Sequence, residues 1–262
     1  MALVTGAARG QGRAHAVKLA SEGADLIVCD ICAPVETTKY PPATPEDLAA
    51  TVAMVQAHGR RAVARRLDVR DLGALEELVA AAMAELGRLD VVVANAGILS
   101  AGRLWEITPE QWDAVIGVNL TGVWNTLKVT VPRLIEQGHG GAIVLVSSVA
   151  GLKGVPFTGH YGAAKHGVVG MCRTLANELG PYDIRVNSVH PAGVDTLMNH
   201  DPDLFTLISE HQHTLAPIFQ TSLQHGFMQP EEMAEIVAWL ASDECRHMTG
   251  AQIPVDFGNL AR

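Results

Sequence analysis

Short apolar runs alternate with longer amphipathic ones along the whole chain. Ala2-Leu3-Val4-Thr5 reads as a buried strand, and the stretch after it, with Ala14, Val17, Leu19 and Ala20 apolar, reads as a helix ending near Gly23. Further strands are predicted over 25–30, 62–67, 91–94, 143–146 and 184–189. The run Val91-Val92-Val93-Ala94 shows no apolar/polar alternation, which means burial on both faces and a central place in a parallel sheet. Helical patterning covers 46–58 (closed by Gly59), 71–86, 161–180 and 231–241 (opened by Pro230). It also predicts one long helix from Trp105 through Asn119 to about Gln137, disturbed at Gly117. The closing Ile253-Pro254-Val255-Asp256 is a strand, and Pro254, which lacks a ladder donor, puts it at the sheet's edge. Strands and helices in alternation predict an α/β fold of Rossmann type. Its doubly wound, mostly parallel sheet has seven strands and helices on both faces. No repeat or linker divides the chain, and 1–262 read as one domain.

Two stretches do not fit the alternation. Residues 31–45 contain Pro34, Pro41, Pro42 and Pro45 and cannot form regular structure. Residues 197–228 have no clear sheet partner and are rich in His, Leu and Phe, the composition of a mobile lid over an apolar substrate.

Composition narrows the partners. A formal net charge of −9 argues against nucleic acid and anionic membrane surfaces. No run reaches the roughly 18 apolar residues of a spanning helix, and the start lacks a basic-then-apolar export signal. Four cysteines without such a signal point to a reduced, cytoplasmic setting. Cys29-x-x-Cys32 lacks a second ligand pair, since Cys172 and Cys245 stand alone, and Cys29 ends an apolar strand. The pair reads as buried packing, with no metal expected. His211 and His213 read as a solvated lid surface.

The chemistry gathers at the strand ends. Gly6-Ala7-Ala8-Arg9-Gly10-Gln11-Gly12 lies between a strand and a helix, where backbone N–H groups and a helix N-terminus meet a pyrophosphate. Asp30 closes the next strand, 24 residues after Gly6, where a ribose-binding acid belongs. Arg9 could greet a 2′-phosphate, but Asp30 would repel one and Ile31 follows it in place of an arginine, so NAD is favoured over NADP. Ser148 falls at the C-terminal end of a strand, the edge where open α/β sheets bind ligands. Tyr161 and Lys165 are four apart on a helix and share a face. A phenol titrates near 10, and an adjacent ammonium moves it toward the working range. Asn119 is polar amid Val115, Val118 and Val123, a setting in which an asparagine usually bonds backbone.

Thr5-Gly6-x-x-x-Gly10-x-Gly12, Asn95-Ala96-Gly97, Asn119, Ser148, Tyr161-x-x-x-Lys165 and Pro191-x-Gly193 occur in one order across nearly the whole chain. In this the sequence resembles the short-chain dehydrogenases/reductases. Asp30-Ile31-Cys32-Ala33-Pro34 with its long insert, and the ending from Thr249-Gly250 to Val255-Asp256, look like the actinobacterial mycofactocin-associated group that includes carveol dehydrogenases. The resemblance implies Tyr161 as general acid/base, Lys165 lowering its pKa and bonding the nicotinamide ribose, Ser148 on the substrate oxygen and Asn119 supporting a water. It implies that Gly6, Arg9, Gly10, Gln11 and Gly12 hold the pyrophosphate side of NAD, with Asp30 and Ile31 at the ribose. Asp68 and Val69 would flank adenine; Asn95, Ala96 and Gly97 would line the groove; and Pro191, Gly193, Val194 and Thr196 would sit near the carboxamide. It further implies an insert that grips NAD, an external redox carrier and a homotetramer. A small apolar secondary alcohol or ketone is the expected substrate. Hydroxysteroid dehydrogenase, 3-oxoacyl reductase and a catalytically silent NAD-binding sensor are the alternatives.

Overall fold

The computed structural model describes residues 1–262. Seven strands form one sheet: β1 (Ala2–Thr5), β2 (Leu26–Asp30), β3 (Ala62–Arg66), β4 (Val91–Ala94), β5 (Gly141–Val146), β6 (Ile184–Pro191) and β7 (Gln252–Val255). Their spatial order is β3-β2-β1-β4-β5-β6-β7, and every neighbouring pair is parallel. The order reverses between β1 and β4, which opens a crevice beyond their carboxyl ends. β7 lies at the edge, and Pro254 is exposed there.

Successive strand residues feed two separate cores, as a side-chain period of two requires. Leu3, Ile27, Val92, Ile143 and Val186 face one side, against α3 (Leu72–Leu86), α5 (Gly122–Gln137) and α6 (Gly159–Leu179). Val4, Val28, Val93, Val144 and Val189 face the other, against α1 (Gly10–Ser21), α2 (Pro45–Ala57) and α8 (Pro230–Ala241). Burial on both faces explains why the central strands β1, β2, β4 and β5 carry no polar alternation, whereas the edge strands β3 and β7 are partly exposed.

The long helix expected from Trp105 starts later and then runs on to Gln137 through one π turn. Thr108 accepts from the Gln111 N–H at 3.2 Å while Gln111 Oε1 accepts from the Thr108 N–H at 3.0 Å, so α4 (Pro109–Ile116) opens at Pro109. Trp105 stays outside it, 81% exposed. Between α4 and α5, residues Gly117–Thr121 form a π-helical turn, the disturbance expected at Gly117.

Residues 31–44 have no regular structure and end where Thr44 caps α2. The 197–228 stretch holds two short 3-10 turns and α7 (Pro202–Glu210), and its base is closed by a bridge between Val194 and Met228. All four cysteines are free and buried. No helix is long and apolar enough to cross a membrane.

Candidate active site

The glycine turn is built by close backbone approach. Gly6 and Gly10 have φ of +66° and +53°, and a Cβ on Gly12 would lie 2.0 Å from the Gly6 carbonyl oxygen. From the neighbouring strand, Asn95 Nδ2 donates to the carbonyls of Thr5 (2.9 Å) and Gly6 (3.2 Å). In return Thr5 Oγ1 accepts from the N–H groups of Asn95 (3.1 Å) and Ala96 (3.0 Å). Asn95 and Ala96 thus brace the turn across the point where the sheet reverses. Arg9, the residue before α1, makes no side-chain cap, which leaves the first N–H groups of that helix open to a ligand.

A cavity of 540 Å³ runs from this turn to the end of β5. Gly6, Arg9, Gly10, Gln11, Gly12, Asp30 and Ile31 line one end, and Asn95 and Gly97 the middle. Tyr161, Lys165, Thr196, Leu197 and Met198 line the other end. Asp30 accepts from the N–H groups of Ala8 (3.1 Å) and Cys32 (3.0 Å), which aims its carboxylate. The guanidinium of Arg9 donates to the Pro41 carbonyl at 2.6 Å, so it fastens the 31–45 insert beside the turn.

The insert crosses to the other end as well. Tyr40, which carries no signal of period or motif, lines the cavity, and its hydroxyl accepts from the Leu99 N–H at 3.1 Å. It is the main site residue the sequence did not reveal.

At the end lined by Tyr161, Lys165 is buried and its ammonium donates to the Val146 carbonyl at 2.8 Å. It lies 5.4 Å from the centre of the Tyr161 ring. Burial brings its pKa down to about 8. Burial likewise pushes the Tyr161 phenol up to about 12, the Ser148 hydroxyl draws it down and Tyr40 presses it up. Among the protein's own groups, burial therefore outweighs the lowering by Ser148, and the lowering expected beside Lys165 is not seen. Ser148 accepts from the Ala150 N–H at 3.1 Å, and Ser147 donates to the Lys165 carbonyl at 3.1 Å, joining β5 to α6.

Asn119 sits in the π turn, fully buried. Its amide donates to the carbonyls of Val115 and Ile98, both at 2.9 Å, and its Oδ1 accepts from the Ile98 N–H at 3.2 Å. The backbone-bonding reading of this residue describes what is seen. A Cβ on Gly97 would lie 2.8 Å from that Oδ1 and 3.7 Å from Lys165 Nζ, so the glycine makes room for both.

Other named residues stand back from the cavity. Asp68 is paired with Arg70, and Val69 belongs to the core, where a Cβ on Gly122 would approach its Cγ2 to 2.5 Å. Val194 is buried at the base of the lid, and Gly193 admits Phe227, which a Cβ would meet at 2.5 Å. Pro191 ends β6.

Ser147 lines the cavity and Ser148 does not, but the Ser148 hydroxyl reaches Tyr161. A doubly wound parallel sheet with a glycine turn and a Tyr-x-x-x-Lys helix around one cavity, and a strand-end serine beside that tyrosine, defines a class. The family described as Enoyl-(Acyl carrier protein) reductase matches residues 6–259, and the chain belongs to the short-chain dehydrogenases/reductases. It is 54% identical to an uncharacterized NAD-dependent oxidoreductase of Mycobacterium tuberculosis, over 99% of this chain and 95% of the relative. It is 44% identical to the (-)-trans-carveol dehydrogenase of Rhodococcus erythropolis, over 98% and 96% respectively. The crystal structure of carveol dehydrogenase from Mycobacterium avium in complex with NAD superimposes with a TM-score of 0.95 at 46% identity, covering 100% of this chain and 97% of that one.

Proposed function

We propose that the protein is an NAD-dependent oxidoreductase that interconverts an apolar secondary alcohol, cyclic or terpenoid like carveol, and its ketone, with Tyr161 as general acid/base. The observation that carries this reading is the placement of Tyr161 and Lys165 in the same cavity as the glycine turn and Asp30.

The residues fit a dinucleotide. Gly6, Gly10 and Gly12 bring bare backbone to the cavity, as a pyrophosphate needs, and Asp30 would accept from ribose hydroxyls while repelling a 2′-phosphate. Bound NAD supplies the hydride acceptor or donor, and its positive ring favours the phenolate. Tyr161 takes the carbinol proton in oxidation and returns it in reduction. Ser148 bonds the substrate oxygen and stabilises its developing charge. Lys165 keeps a positive charge beside the phenol, and Asn119 supports a water that links Lys165 to solvent. Leu197 and Met198 from the 197–228 lid supply apolar wall, and the exposed Phe205 and Phe227 extend it.

The insert acts as a strap over the cofactor, fastened by Arg9 to Pro41 and by Leu99 to Tyr40. A cofactor so retained is reoxidised in place by an external carrier, as in the mycofactocin-associated group. The chain works as one cytoplasmic unit within a homotetramer. Support for that assembly comes from the α5/α6 face, where Trp124 is 48% exposed beside an apolar groove.

Tyr161→Phe tests the central assignment, since it keeps the ring and removes the proton carrier. Turnover of carveol should fall about 10²–10⁴-fold with NADH binding unchanged. Retention of more than about a tenth of wild-type turnover would remove the general acid/base role.

A further inference from the structure

Beneath the reacting end lies a buried histidine that touches none of the reacting atoms. β5 and β6 pair through Val146 and Val189, and the last rung of their ladder is the Ser147 N–H on the Val189 carbonyl at 2.9 Å. One residue further, the Ser148 carbonyl has no backbone partner on β6. It accepts instead from His190 Nδ1 at 2.7 Å and from the Gly151 N–H at 2.9 Å. The other nitrogen of His190 lies 2.9 Å from Ser188 Oγ, which also approaches the Ala251 carbonyl at 3.5 Å.

With the ring neutral, these partners fix one set of protons. A carbonyl only accepts, so Nδ1 carries the hydrogen; Nε2 is then a lone pair, and the Ser188 hydroxyl donates to it. The imidazole is fully buried, and its burial together with the charges of Lys165, Arg173 and His166 disfavours a second proton. His190 is therefore a neutral ring in one tautomer, held at its far end by Ser188 on the same strand.

The consequence falls on Ser148. Its 3-10 turn fixes the local shape of Val149–Gly151 through the Gly151 and Ala150 N–H groups. Those bonds are internal to the turn and do not set its attitude to the sheet. Ser147, through the Lys165 carbonyl, ties the preceding residue to α6. The His190 bond is what ties the serine's own peptide to β6.

We propose that His190 is a positioning residue for the reaction, holding the Ser148 peptide so that its hydroxyl meets the substrate oxygen. The proposal rests on the reading of Ser148 given above.

The test is a double-mutant cycle on NAD-loaded protein, with carveol as the probe alcohol and single-turnover formation of bound NADH as the rate. His190→Ala should slow this step by up to about 10²-fold, the scale of a misplaced reacting group. His190→Asn, whose amide hydrogen takes the place of Nδ1–H, should recover most of that loss. In a Ser148→Ala background, His190→Ala should add less than about twofold, because the two residues act as one unit. NADH fluorescence titration counts the folded sites in each variant. An equal loss from His190→Ala in both backgrounds, or a loss matched by the fall in NADH-binding sites, makes His190 a packing residue and overturns the proposal. If His190→Ala fails to fold, the comparison passes to Ser188→Ala, which frees the ring without opening a cavity of that size. It should slow the step in the wild-type background only, and an unchanged rate there refutes the proposal. A Ser148→Ala variant with unchanged rate is a separate result, which refutes the role given to Ser148 itself.

Discussion

His15 makes the acid stability of this protein a quantitative test of its packing. The imidazole lies in α1, on the helix that follows the glycine turn, with no solvent exposure and no hydrogen-bond partner for either ring nitrogen. Burial pushes its pKa from the ordinary 6.5 down to about 3. The folded protein thus keeps His15 neutral, whereas the unfolded chain takes up a proton once the pH falls below 6.5. Stability from this source is complete above pH 6.5 and is lost progressively as the pH falls toward 3. At pH 5 the loss is about 2 kcal/mol, since each pH unit below the unfolded pKa is worth about 1.4 kcal/mol. His15→Leu removes the titration. With about 2.1 cal/mol/K of unfolding entropy per residue, 2 kcal/mol is about 4 °C in a chain of this length. Scanning calorimetry of both proteins at saturating NAD should therefore show the variant gaining about 4 °C on the wild type between pH 7.5 and 5. His160 and His190, also disfavoured as cations by burial, are common to both proteins and cancel. A Tm difference that stays flat over this range would show that His15 is protonated within the fold, and the argument from burial would fail.

Two further changes probe the site itself. Gly97→Ala places a methyl 2.8 Å from Asn119 Oδ1. The asparagine must release the Ile98 N–H, at a cost of about 1–3 kcal/mol for the orphaned donor, so Tm should fall by several degrees and carveol turnover by at least about tenfold. Wild-type values of both would mean that the π turn tolerates what the geometry forbids. Tyr40→Phe keeps the ring and deletes the acceptor of the Leu99 N–H. Loss of a bond worth up to about 1.5 kcal/mol should raise the NADH dissociation rate by up to about tenfold in stopped-flow displacement, while Tyr161 chemistry persists. An unchanged rate would detach the insert from cofactor retention.

Much of this site could be read without coordinates because its parts are local. The glycine turn needs only a strand, three glycines and a helix in succession, and Tyr161 and Lys165 share a face because a helix turn brings residues four apart together. The turn at Gly117 was visible for the same reason, as a glycine in a helical run. α4 starts four residues after the apolar period alone predicts. Trp105 and Ile107 continue the apolar period, while the capping box of Thr108 and Gln111 and the proline after it decide the boundary.

The sequence by itself determined the strands, the burial of the central Val91–Ala94 strand on both faces, and the residues gathered at the strands' carboxyl ends, since these follow from periodicity and from one right-handed winding rule. Only the tertiary structure decided which residues those groups bond. Lys165 turns to the Val146 carbonyl, Arg9 to Pro41, Tyr40 to Leu99, and His190 to Ser148. Each of these bonds joins positions 19 to 59 residues apart along the chain. Nothing in the period of either segment encodes such a pairing. It arises when the sheet closes and a buried polar group must find the nearest partner left unspent.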